Sequence, residues 1–354
     1  MSSKRDRYAL PDDIRKTVIQ QNLVDWFKEN SRDLPWRRDR DPYKVWVSEI
    51  MLQQTQVDTV IPYFNRFMHK FPTLDDLAAA SEDDVMKAWE GLGYYSRARN
   101  LHDAVREVVR EYGGTVPDNK ADISRLKGIG PYTAGAILSL AYGMPEPAVD
   151  GNVMRVVSRL FAIEDDIAKP VTRVKMEQLV RHLIPEHEPG SFNEGLMELG
   201  ALVCTPRNPA CLICPLSSEC EGREQGIHEQ LPVKKKARRV KAVSLTCGVI
   251  VNEDSVLLRR RPDHGLLAGM WEFPNWGVAD ASEMLPELDV VWEGTSGKVS
   301  HTFSHVRWVL NVYTGETRAR DVSLLPDYRW VKITDLSNYT FPRVFHKVRE
   351  LVGI

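Results

Sequence analysis

The sequence predicts a multidomain protein in which an all-α domain over residues 1–225 precedes an α/β module over residues 242–354. Three observations lead to this fold class. The chain has 354 residues, which exceeds one average domain. Apolar residues recur at the helical period through the first part of the chain, and in the last part they alternate with polar residues as in strands. The stretch between them, residues 226–241, is polar and basic and is predicted to be an interdomain linker.

Composition excludes several classes of protein. Hydrophobic residues make up 43% of the chain and charged residues 27%, as in ordinary soluble domains. No apolar run is long enough to cross a membrane, and the N-terminus lacks the apolar core of a secretory signal, so we expect a cytoplasmic protein without a membrane partner. The formal net charge of −2 gives no global sign of nucleic-acid binding, which must therefore come from local patches.

The first domain is predicted to be a succession of helices. Helically spaced apolar residues from Ile14 to Phe27 predict the first helix, and Asp41-Pro42 begin the second, whose apolar residues flank Glu49. Later helices are predicted over residues 57–69, 74–80, 82–89, 96–112, 132–142, 149–161, 172–182 and 192–203. The short connections between them are typical of a compact helical bundle.

In the second domain, apolar and polar residues alternate with a period of two. Strands are predicted over residues 244–251, 255–260, 289–294, 306–315 and 328–333, with a short helix over 282–288 and a C-terminal helix over 342–352. Cys247 lies alone in the first of these strands and is predicted to be a small buried hydrophobe.

The stretch from Ile123 to Arg155 combines a glycine turn, an apolar helix and a single acid. Gly128-Ile129-Gly130 predict a tight turn, and Pro131 is well placed to begin the next helix. The glycines allow backbone N–H groups to approach a ligand closely, and the helix N-terminus behind them favours an anion. Taken alone, the same pattern is more typical of a plain corner between two helices.

Four of the five cysteines form the strongest local signal. Cys204, Cys211, Cys214 and Cys220 lie so close in sequence that, in a reducing compartment, a metal site is favoured over disulfides. Structural zinc sites usually pair their ligands in two short C-x2–4-C units, whereas only one such pair occurs here, between wider gaps. Wide and unequal spacing suits the corners of an iron–sulfur cluster, so the spacing favours a cluster over zinc.

These motifs together carry a resemblance to a known family. Residues 12–220 resemble the helix-hairpin-helix DNA glycosylases of the endonuclease III superfamily, and WVSEIMLQQTQVDTVIPYF, GLGYYSRARNL and VDGNVMRV are similar to the MutY-type adenine DNA glycosylases. GMWEFP and TFSH resemble the Nudix-like domain of the same enzymes. The resemblance implies a monomeric, monofunctional glycosylase of base excision repair that works at the nucleoid. Such an enzyme flips adenine out of double-stranded DNA and hydrolyses its N-glycosidic bond when 8-oxoguanine or guanine lies opposite.

Glu49 and Asp150 are the predicted carboxylate pair. Breaking an N-glycosidic bond builds positive charge on the sugar, and adenine leaves poorly unless it is protonated, so one carboxyl must donate a proton while the other faces the cation. Apolar neighbours are expected to raise the pKa of Glu49 and keep its proton available. Without the motif, Glu49 would be an ordinary helix acid and Asp150 an ordinary helix cap. The resemblance assigns protonation of the base and activation of water to Glu49, and stabilisation of the oxocarbenium ion to Asp150.

Tyr132 separates two subclasses of the superfamily. Bifunctional members place a lysine just after the hairpin, where its amine attacks C1′ and forms a Schiff base. A tyrosine cannot form an imine, so hydrolysis by water is expected. We expect Tyr132 and Asn152 to form hydrogen bonds on the Asp150 side of the site.

The resemblance also assigns binding residues. The adenine pocket is assigned to Arg32, Leu34, Trp36 and Glu194, and DNA contacts to Arg37, Gln54, Thr55, Leu92, Gly93, Tyr94, Gly128 and Gly130. Gln54, Thr55 and Tyr94 would fill the stack that the flipped base leaves. The hairpin would grip phosphates through backbone amides, with a monovalent cation or calcium facing the carbonyls of Ser124 and Ile129. Phe303, Ser304 and His305 are assigned to recognition of 8-oxoguanine, and the four clustered cysteines to a 4Fe–4S cluster.

Three other functions stay open. The second domain would be a nucleotide pyrophosphatase if it held magnesium, but GMWEFPNWGVADASEMLPEL carries Glu272, Glu283 and Glu287 without the required array of glutamates. An endonuclease III-like glycosylase/lyase acting on damaged pyrimidines is disfavoured by Tyr132 and by the second domain. A non-catalytic iron–sulfur protein that binds DNA would not need the carboxylate pair.

Overall fold

The computed structural model describes Tyr8 and residues 10–235, 241–277, 281, 284–303, 306–323 and 325–354. The chain divides into two compact units. The first comprises Met1–Ala79 and Asn100–Lys236, and the second comprises Ala80–Arg99 and Ala237–Ile354. The segment Ala80–Arg99 thus belongs to the same unit as the C-terminal sheet, a grouping that the sequence pattern did not predict.

The N-terminal part of the chain is helical. Its helices are α1 (Asp13–Asn30), α2 (Pro42–Leu52), α3 (Val57–Lys70), α4 (Leu74–Ala79), α5 (Glu82–Trp89), α6 (Ser96–Tyr112), α7 (Lys120–Ile123), α8 (Pro131–Leu140), α9 (Gly151–Leu160), α10 (Pro170–Leu183), α11 (Pro189–Leu202) and α12 (Glu221–Glu224), of which α5 and the start of α6 lie in the second unit. The predicted helices are confirmed. Helices α10 and α11 begin earlier than predicted because a proline opens each of them.

An apolar core holds α1, α9, α10 and α11 together. Leu23, Val157, Met176 and Leu196 are each at most 1% exposed there. Burying an aliphatic side chain of this size stabilises the folded state by about 1.5–3 kcal/mol. The core therefore fixes α9 and α11, which supply acids to the candidate site.

A glycine contact brings α8 against the segment that leads into α9. A Cβ on Gly135 would lie 2.0 Å from the carbonyl oxygen of Pro147, so only glycine lets the two stretches lie together. Asn193 of α11 holds the same segment, because its side-chain amide donates to the carbonyl oxygen of Glu146 at 2.8 Å. Contacts with α8 and α11 therefore fix the segment that leads to Asp150.

The described residues of the second unit form a seven-stranded mixed sheet. Its strands are β1 (Lys241–Asn252), β2 (Ser255–Arg260), β3 (Trp271–Glu272), β4 (Asn275–Gly277), β5 (Val291–Thr302), β6 (Val306–Glu316) and β7 (Tyr328–Lys332). The order is β3-β2-β1-β6-β5, with β4 paired to β1 and β7 paired to β2. Strands β1 and β6 run parallel, and the other pairs are antiparallel. Helix α13 (Arg343–Val352) buries Val344, Phe345 and Val348 in the core of the sheet.

The C-terminal helix and the predicted strands are confirmed, except that the strand predicted over 289–294 runs from Val291 to Thr302. Strands β3 and β4 were too short for alternation to reveal. The helix predicted over 282–288 falls partly on residues outside the described ones, and its end, Pro286–Leu288, is a 3-10 helix. Residues 236–240 of the predicted linker also lie outside the described residues. Cys247 is fully buried in the sheet core, as predicted. None of the described helices has both the length and the apolar composition needed to cross a bilayer.

Candidate active site

Helix α2 carries Glu49 into the interior of the first unit. The side chain of Asp41 caps this helix by accepting from the N–H of Lys44 at 3.0 Å, and Pro42 occupies its first position. Most residues along the helix are buried, and Glu49 itself is only 4% exposed. A carboxyl group tolerates such burial only with a partner or a proton.

Tyr132 supplies a partner. Its hydroxyl donates to Oε2 of Glu49 at 2.5 Å. The expectation that this hydroxyl bonds on the Asp150 side is wrong, because α8 packs against α2 and directs the phenol to Glu49. Burial raises the pKa of Tyr132, and the negative charge of Glu49 raises it further, so the phenol remains a proton donor in the hydrogen bond.

Asp150 caps helix α9. Its Oδ1 accepts from the N–H of Val153 at 2.7 Å, and its Oδ2 accepts from the side-chain amide of Asn152 at 3.0 Å. Oδ1 of Asn152 accepts from Arg155 at 2.8 Å, which fixes the orientation of that amide. The predicted cap is confirmed, and both carboxylate oxygens of Asp150 are held by donors from the same helix.

The surroundings act differently on the two acids. Burial raises the pKa of Glu49 to about 7; the hydrogen bond from Tyr132 opposes the rise, and the negative charges of Asp150 and Glu194 add to it. Burial also raises the pKa of Asp150, but there the donors on α9 favour the charged form. The direction predicted for Glu49 from its apolar neighbours agrees with the structure.

A second pair of carboxylates lies on α11. Arg32 donates to Glu198 twice, from Nε at 2.8 Å and from Nη2 at 2.9 Å. Arg37 bridges the pair, at 2.7 Å from Glu194 and 3.0 Å from Glu198. Burial alone would raise the pKa of Glu198, but the hydrogen bonds from the two guanidinium groups outweigh it and lower the pKa to about 2. Burial raises the pKa of Glu194 despite the opposing charge of Arg37.

One cavity of about 650 Å³ joins these groups. The predicted residues that line it are Glu49, Tyr132, Asp150, Asn152, Arg32, Leu34, Trp36, Glu194, Arg37, Gln54, Thr55, Gly128 and Gly130. The sequence did not single out Ser48, Gln53, Met197 or Glu198, which also line the cavity. The i,i+4 spacing from Glu194 is the signal that would have found Glu198, because it places both acids on one face of a helix.

The turn between α2 and α3 has an unusual backbone. Gln54 is exposed and adopts a φ of 58°, which is rare for a residue with a side chain. The turn is closed by a hydrogen bond from the N–H of Thr55 to the carbonyl oxygen of Leu52 at 3.2 Å. Gln53 links it to α8 by donating to the hydroxyl of Thr133 at 3.3 Å. Strained conformations of this kind cluster at functional sites.

The predicted hairpin forms a tight corner between α7 and α8. Gly128 has a φ of 82°, and a Cβ there would lie 2.8 Å from Cβ of Asn100, so the turn requires glycine. Ser124 ends α7, and Gly130 caps α8. The N–H of Ile129 donates to the carbonyl oxygen of Leu126 at 3.1 Å. Binding of phosphate and of a cation at this corner stays a prediction.

The remaining predicted DNA contacts lie in the second unit, in the turn between α5 and α6. Leu92 is buried, and Gly93 and Tyr94 both adopt positive φ, 74° and 47°. Tyr94 is 44% exposed, and the guanidinium of Arg97 lies 5.5 Å from the centroid of its ring. An exposed aromatic ring on a strained turn is available for contact with a ligand.

Phe303 lies at the tip of the β5–β6 hairpin. Its N–H donates to the carbonyl oxygen of Val306 at 2.8 Å, and its ring centroid lies 5.2 Å from that of Trp308 in an edge-on arrangement. Ser304 and His305, the other residues predicted to recognise 8-oxoguanine, lie outside the described residues.

Two of the three acids considered as magnesium ligands, Glu272 and Glu287, lie among the described residues of the second unit. Glu272 is fully buried and forms ion pairs with Arg259 at 2.5 Å and Arg261 at 2.7 Å. Glu287 is an exposed residue of the 3-10 helix that precedes β5, and Glu283 lies outside the described residues. The charge of Glu272 is thus satisfied by two arginines.

The four clustered cysteines, Cys204, Cys211, Cys214 and Cys220, line a second, smaller cavity. Behind them, Arg159 donates to Sγ of Cys204 at 3.3 Å, and Arg155 donates to the carbonyl oxygen of Cys204 at 2.7 Å. Burial raises the pKa of Cys214 to about 12 and also raises that of Cys220, so burial favours the protonated thiol at these two positions. Across the described ranges, no three His, Cys, Asp or Glu side chains are arranged to hold a metal ion. Converging thiols backed by arginines suit an anionic cluster better than a single ion.

Family comparisons agree with this arrangement. Residues 47–182 match the HhH-GPD superfamily of base excision DNA repair proteins. Residues 204–220 match the iron-sulfur binding domain of endonuclease III, and residues 246–351 match the NUDIX domain. The predicted helix-hairpin-helix, iron–sulfur and Nudix-like parts of the chain are thereby confirmed.

Individual relatives identify the family. The adenine DNA glycosylase of Rattus norvegicus is 36% identical over 96% of this chain and 79% of its own length. That of Homo sapiens is 38% identical over 89% of this chain and 70% of its own length. The structure of a thermostable thymine-DNA glycosylase, 30% identical, matches with a TM-score of 0.55 over 60% of this chain and 98% of that chain. Because the identity to the first two extends over most of both sequences, this chain belongs to the adenine DNA glycosylases of base excision repair.

Proposed function

We propose that this adenine DNA glycosylase hydrolyses the N-glycosidic bond of adenine opposite 8-oxoguanine or guanine, within the cavity that contains Glu49. The raised pKa of Glu49 carries the proposal, since a carboxyl that titrates near pH 7 both donates and accepts protons at that pH. The cavity of about 650 Å³ falls in the range of about 300–1,000 Å³ that is typical of sites enclosing small ligands. Adenine enters it only after flipping out of the duplex.

Glu49 donates the proton that turns adenine into a leaving group. A carboxyl with a pKa of about 7 is protonated in about half of the molecules at pH 7. The hydrogen bond from Tyr132 occupies Oε2, which directs the acidic proton to Oε1. Once the bond to the sugar breaks, the ionised carboxylate takes a proton from the water that attacks C1′.

Asp150 faces the positive charge that develops on the deoxyribose. Its anion is favoured by the hydrogen bonds from Val153 and Asn152 and by the N-terminal end of α9. Burial raises the pKa of Asp150, and these hydrogen bonds oppose that rise. In the proposed reaction Asp150 supplies the negative charge while Glu49 supplies the proton.

Tyr132 makes the reaction monofunctional. It is the second residue of α8, directly after the hairpin, and its phenol cannot form a Schiff base with C1′. Water is therefore the nucleophile, and the product is an abasic site with an intact strand.

The base is held by a polar edge and an apolar wall. The ion pair between Arg37 and Glu194, at 2.7 Å, presents both donors and acceptors to the edge of adenine. Leu34 and Trp36 line the same cavity and provide the apolar surface. Arg32 donates its hydrogen bonds to Glu198, and Glu198 in turn orients Arg37. Arg32 therefore acts on the base indirectly.

The glycine hairpin binds the DNA backbone. Gly128 and Gly130 bring backbone N–H groups and the N-terminus of α8 to a phosphate, and the carbonyls of Ser124 and Ile129 would hold a monovalent or calcium ion. Such contacts are independent of sequence, as a scanning enzyme requires.

Two strained turns and the β5–β6 tip contact the bases. Gln54 and Thr55 fill the space left by the flipped adenine, and Tyr94 on its Leu92-Gly93 turn wedges into the stack. The segment Phe303-Ser304-His305 reads the 8-oxoguanine, a role that rests on the similarity of this sequence to the family motif.

The cysteines bind a 4Fe–4S cluster. Cys204, Cys211, Cys214 and Cys220 would hold it, and when bound it cross-links their loop and supplies a one-electron couple. Arg155 and Arg159 hold the loop on the side of Cys204 and offset the negative charge of the thiolates.

The decisive experiment measures base release from three duplexes, carrying adenine opposite 8-oxoguanine, adenine opposite guanine, and thymine glycol. We expect release of adenine from the first two, no release of thymine glycol, and loss of release in both Glu49→Gln and Asp150→Asn while binding of the mispair survives. Glu188→Gln is the control, because that acid is partly exposed and its ion pair, among the described residues, is with Lys28. Full activity in either catalytic variant, or cleavage of thymine glycol, would defeat the proposal.

A further inference from the structure

A nitrogen without a partner lies beside the cysteine cavity. His228 begins a 3-10 helix, His228–Gln230, and lines the same cavity as the four clustered cysteines. Its Nδ1 is buried and has no hydrogen-bond partner within the described part of the chain. Leaving a buried polar atom unpaired is unfavourable, so native structures keep one mainly where a bound group completes it.

The backbone around His228 is held from both sides. The N–H of Ile227 donates to the carbonyl oxygen of Gly222 at 2.9 Å, and Nε of Arg159 donates to the carbonyl oxygen of Leu231 at 3.0 Å. A Cβ on Gly222 would lie 2.5 Å from the carbonyl oxygen of Arg159, so this segment lies directly against α9. The backbone that carries the imidazole of His228 is therefore fixed beside the cavity.

The same arginine ties this segment to a cysteine. Nη1 of Arg159 donates to Sγ of Cys204 at 3.3 Å and to the carbonyl oxygen of Thr205 at 2.8 Å. Arg159 thus has its acceptors within the protein, whereas Nδ1 of His228, a residue of the cavity wall, has no partner among the described residues.

We propose that the Nδ1–H of His228 donates a hydrogen bond to a sulfur of the bound cluster and that this bond sets the reduction potential of the cluster. The inference rests on the 4Fe–4S assignment made above. Sulfurs of iron–sulfur clusters accept N–H donors, and such hydrogen bonds are one means by which a protein sets the potential. A donor stabilises the reduced, more negative state, so the bond raises the potential.

A matched pair of variants tests the hydrogen bond. Asparagine in place of His228 keeps an N–H near the position of Nδ1, whereas leucine has a similar size and no donor. By voltammetry of the holoprotein we expect His228→Leu to have a more negative potential than wild type. A tenfold change in the ratio of reduced to oxidised cluster would appear as a shift of about 59 mV. We expect His228→Asn to stay near the wild type. Equal potentials in all three proteins would overturn the proposal.

A spectroscopic readout tests the contact itself. In wild-type protein labelled with ¹⁵N-histidine, pulsed EPR of the paramagnetic cluster should show coupling to one histidine nitrogen that is absent in His228→Leu. Lack of this coupling in the wild type would refute the hydrogen bond even if the potentials differ. Iron and sulfide analysis separates the two levels of failure: protein purified without iron refutes the cluster and this inference together, whereas a full cluster without the coupling refutes the inference alone.

Discussion

The hydroxyl of Tyr132 lies 2.5 Å from Oε2 of Glu49, so the residue that follows the glycine hairpin touches the acid proposed to protonate adenine. This hydrogen bond lowers the pKa of Glu49 against the larger rise that burial causes. Tyr132 therefore has two effects in the proposed reaction. It leaves the site without an amine nucleophile at this position, and its hydrogen bond keeps the pKa of Glu49 closer to neutral pH.

Replacing Tyr132 with phenylalanine is expected to raise the pKa of Glu49, because the lost hydrogen bond favours the charged carboxylate. In the proposed mechanism, release of adenine needs protonated Glu49, so the wild-type rate should fall as pH rises through about 7. In Tyr132→Phe this decline moves to higher pH. Single-turnover rates across the pH range measure the shift. Tyr142→Phe, which removes a hydroxyl bonded to the carbonyl oxygen of Val116, should leave the profile unchanged; a decline at the same pH in both variants would contradict the prediction.

Glu49→Gln is expected to change the pH dependence of stability. The folded-state pKa of Glu49 is raised from 4.5 to about 7, so its contribution to stability is fully present below about pH 4.5 and is lost as pH rises through about 7. Glutamine does not ionise, and the variant should therefore be more stable than the wild type above pH 7, by up to about 3 kcal/mol. Urea denaturation at acidic and at alkaline pH measures the difference. A difference that does not change with pH would rule out a buried, titrating Glu49.

Glu198→Gln is expected to lower the free energy of unfolding by about 3–5 kcal/mol, because removing one member of a buried ion network leaves its partners unpaired. Arg32 and Arg37 both donate to this carboxylate, which is 2% exposed. The matched control is Glu188→Gln, whose partner Lys28 is half-exposed, and there the expected change is about 0–1 kcal/mol. Denaturation with urea compares the two variants, and equal losses would show that the network around Glu198 adds nothing.

Gly135→Ala is expected to reduce adenine release by displacing the segment that leads to Asp150. The new Cβ would lie 2.0 Å from a backbone oxygen, which cannot move aside like the end of a flexible side chain. Gly277→Ala is the control, since a Cβ there meets nothing within 4 Å. Single-turnover rates at saturating enzyme measure the effect. Unchanged rates in a stably folded Gly135→Ala protein would mean that the position of Asp150 does not depend on this contact.

Ser304→Ala is expected to weaken the preference for adenine opposite 8-oxoguanine more than it slows release opposite guanine. A hydroxyl that contacts the lesion base adds binding only where the lesion is present. Thr302→Ala, two residues earlier at the exposed end of β5, is the control. Parallel measurements on the two duplexes give the ratio. Equal losses on both would count against a role in recognition.

Local pattern predicted much of this molecule. Helical periodicity locates the helices because each must bury one apolar face, and alternation locates the longer strands for the same reason. The raised pKa of Glu49 was foreseeable because its neighbours along α2, such as Trp46 and Ile50, are apolar and buried. Asp150 was foreseeable as a cap because it precedes a helix.

What escaped prediction depends on contacts between distant parts of the chain. The partner of Tyr132 is set by the packing of α8 on α2, and no pattern within either helix encodes that pairing. The importance of Glu198 appears only when Arg32 and Arg37, more than 150 residues earlier, fold back onto α11. The grouping of Ala80–Arg99 with the C-terminal sheet is likewise a property of tertiary structure alone.

The contact between Gly135 and Pro147 fixes the position of α8 against the segment that leads to Asp150. The first residues of α8 adjoin the turn proposed to hold a phosphate, and its middle abuts the chain that carries Asp150, so the span between the proposed phosphate site and Asp150 is set by one helix. An α-helix advances about 1.5 Å per residue and does not stretch. A nucleotide whose sugar–phosphate linkage is one atom longer would present its anomeric carbon out of register, whatever base it carries. The protein would then reject such a nucleotide because of the length of its backbone, independently of any contact with the base.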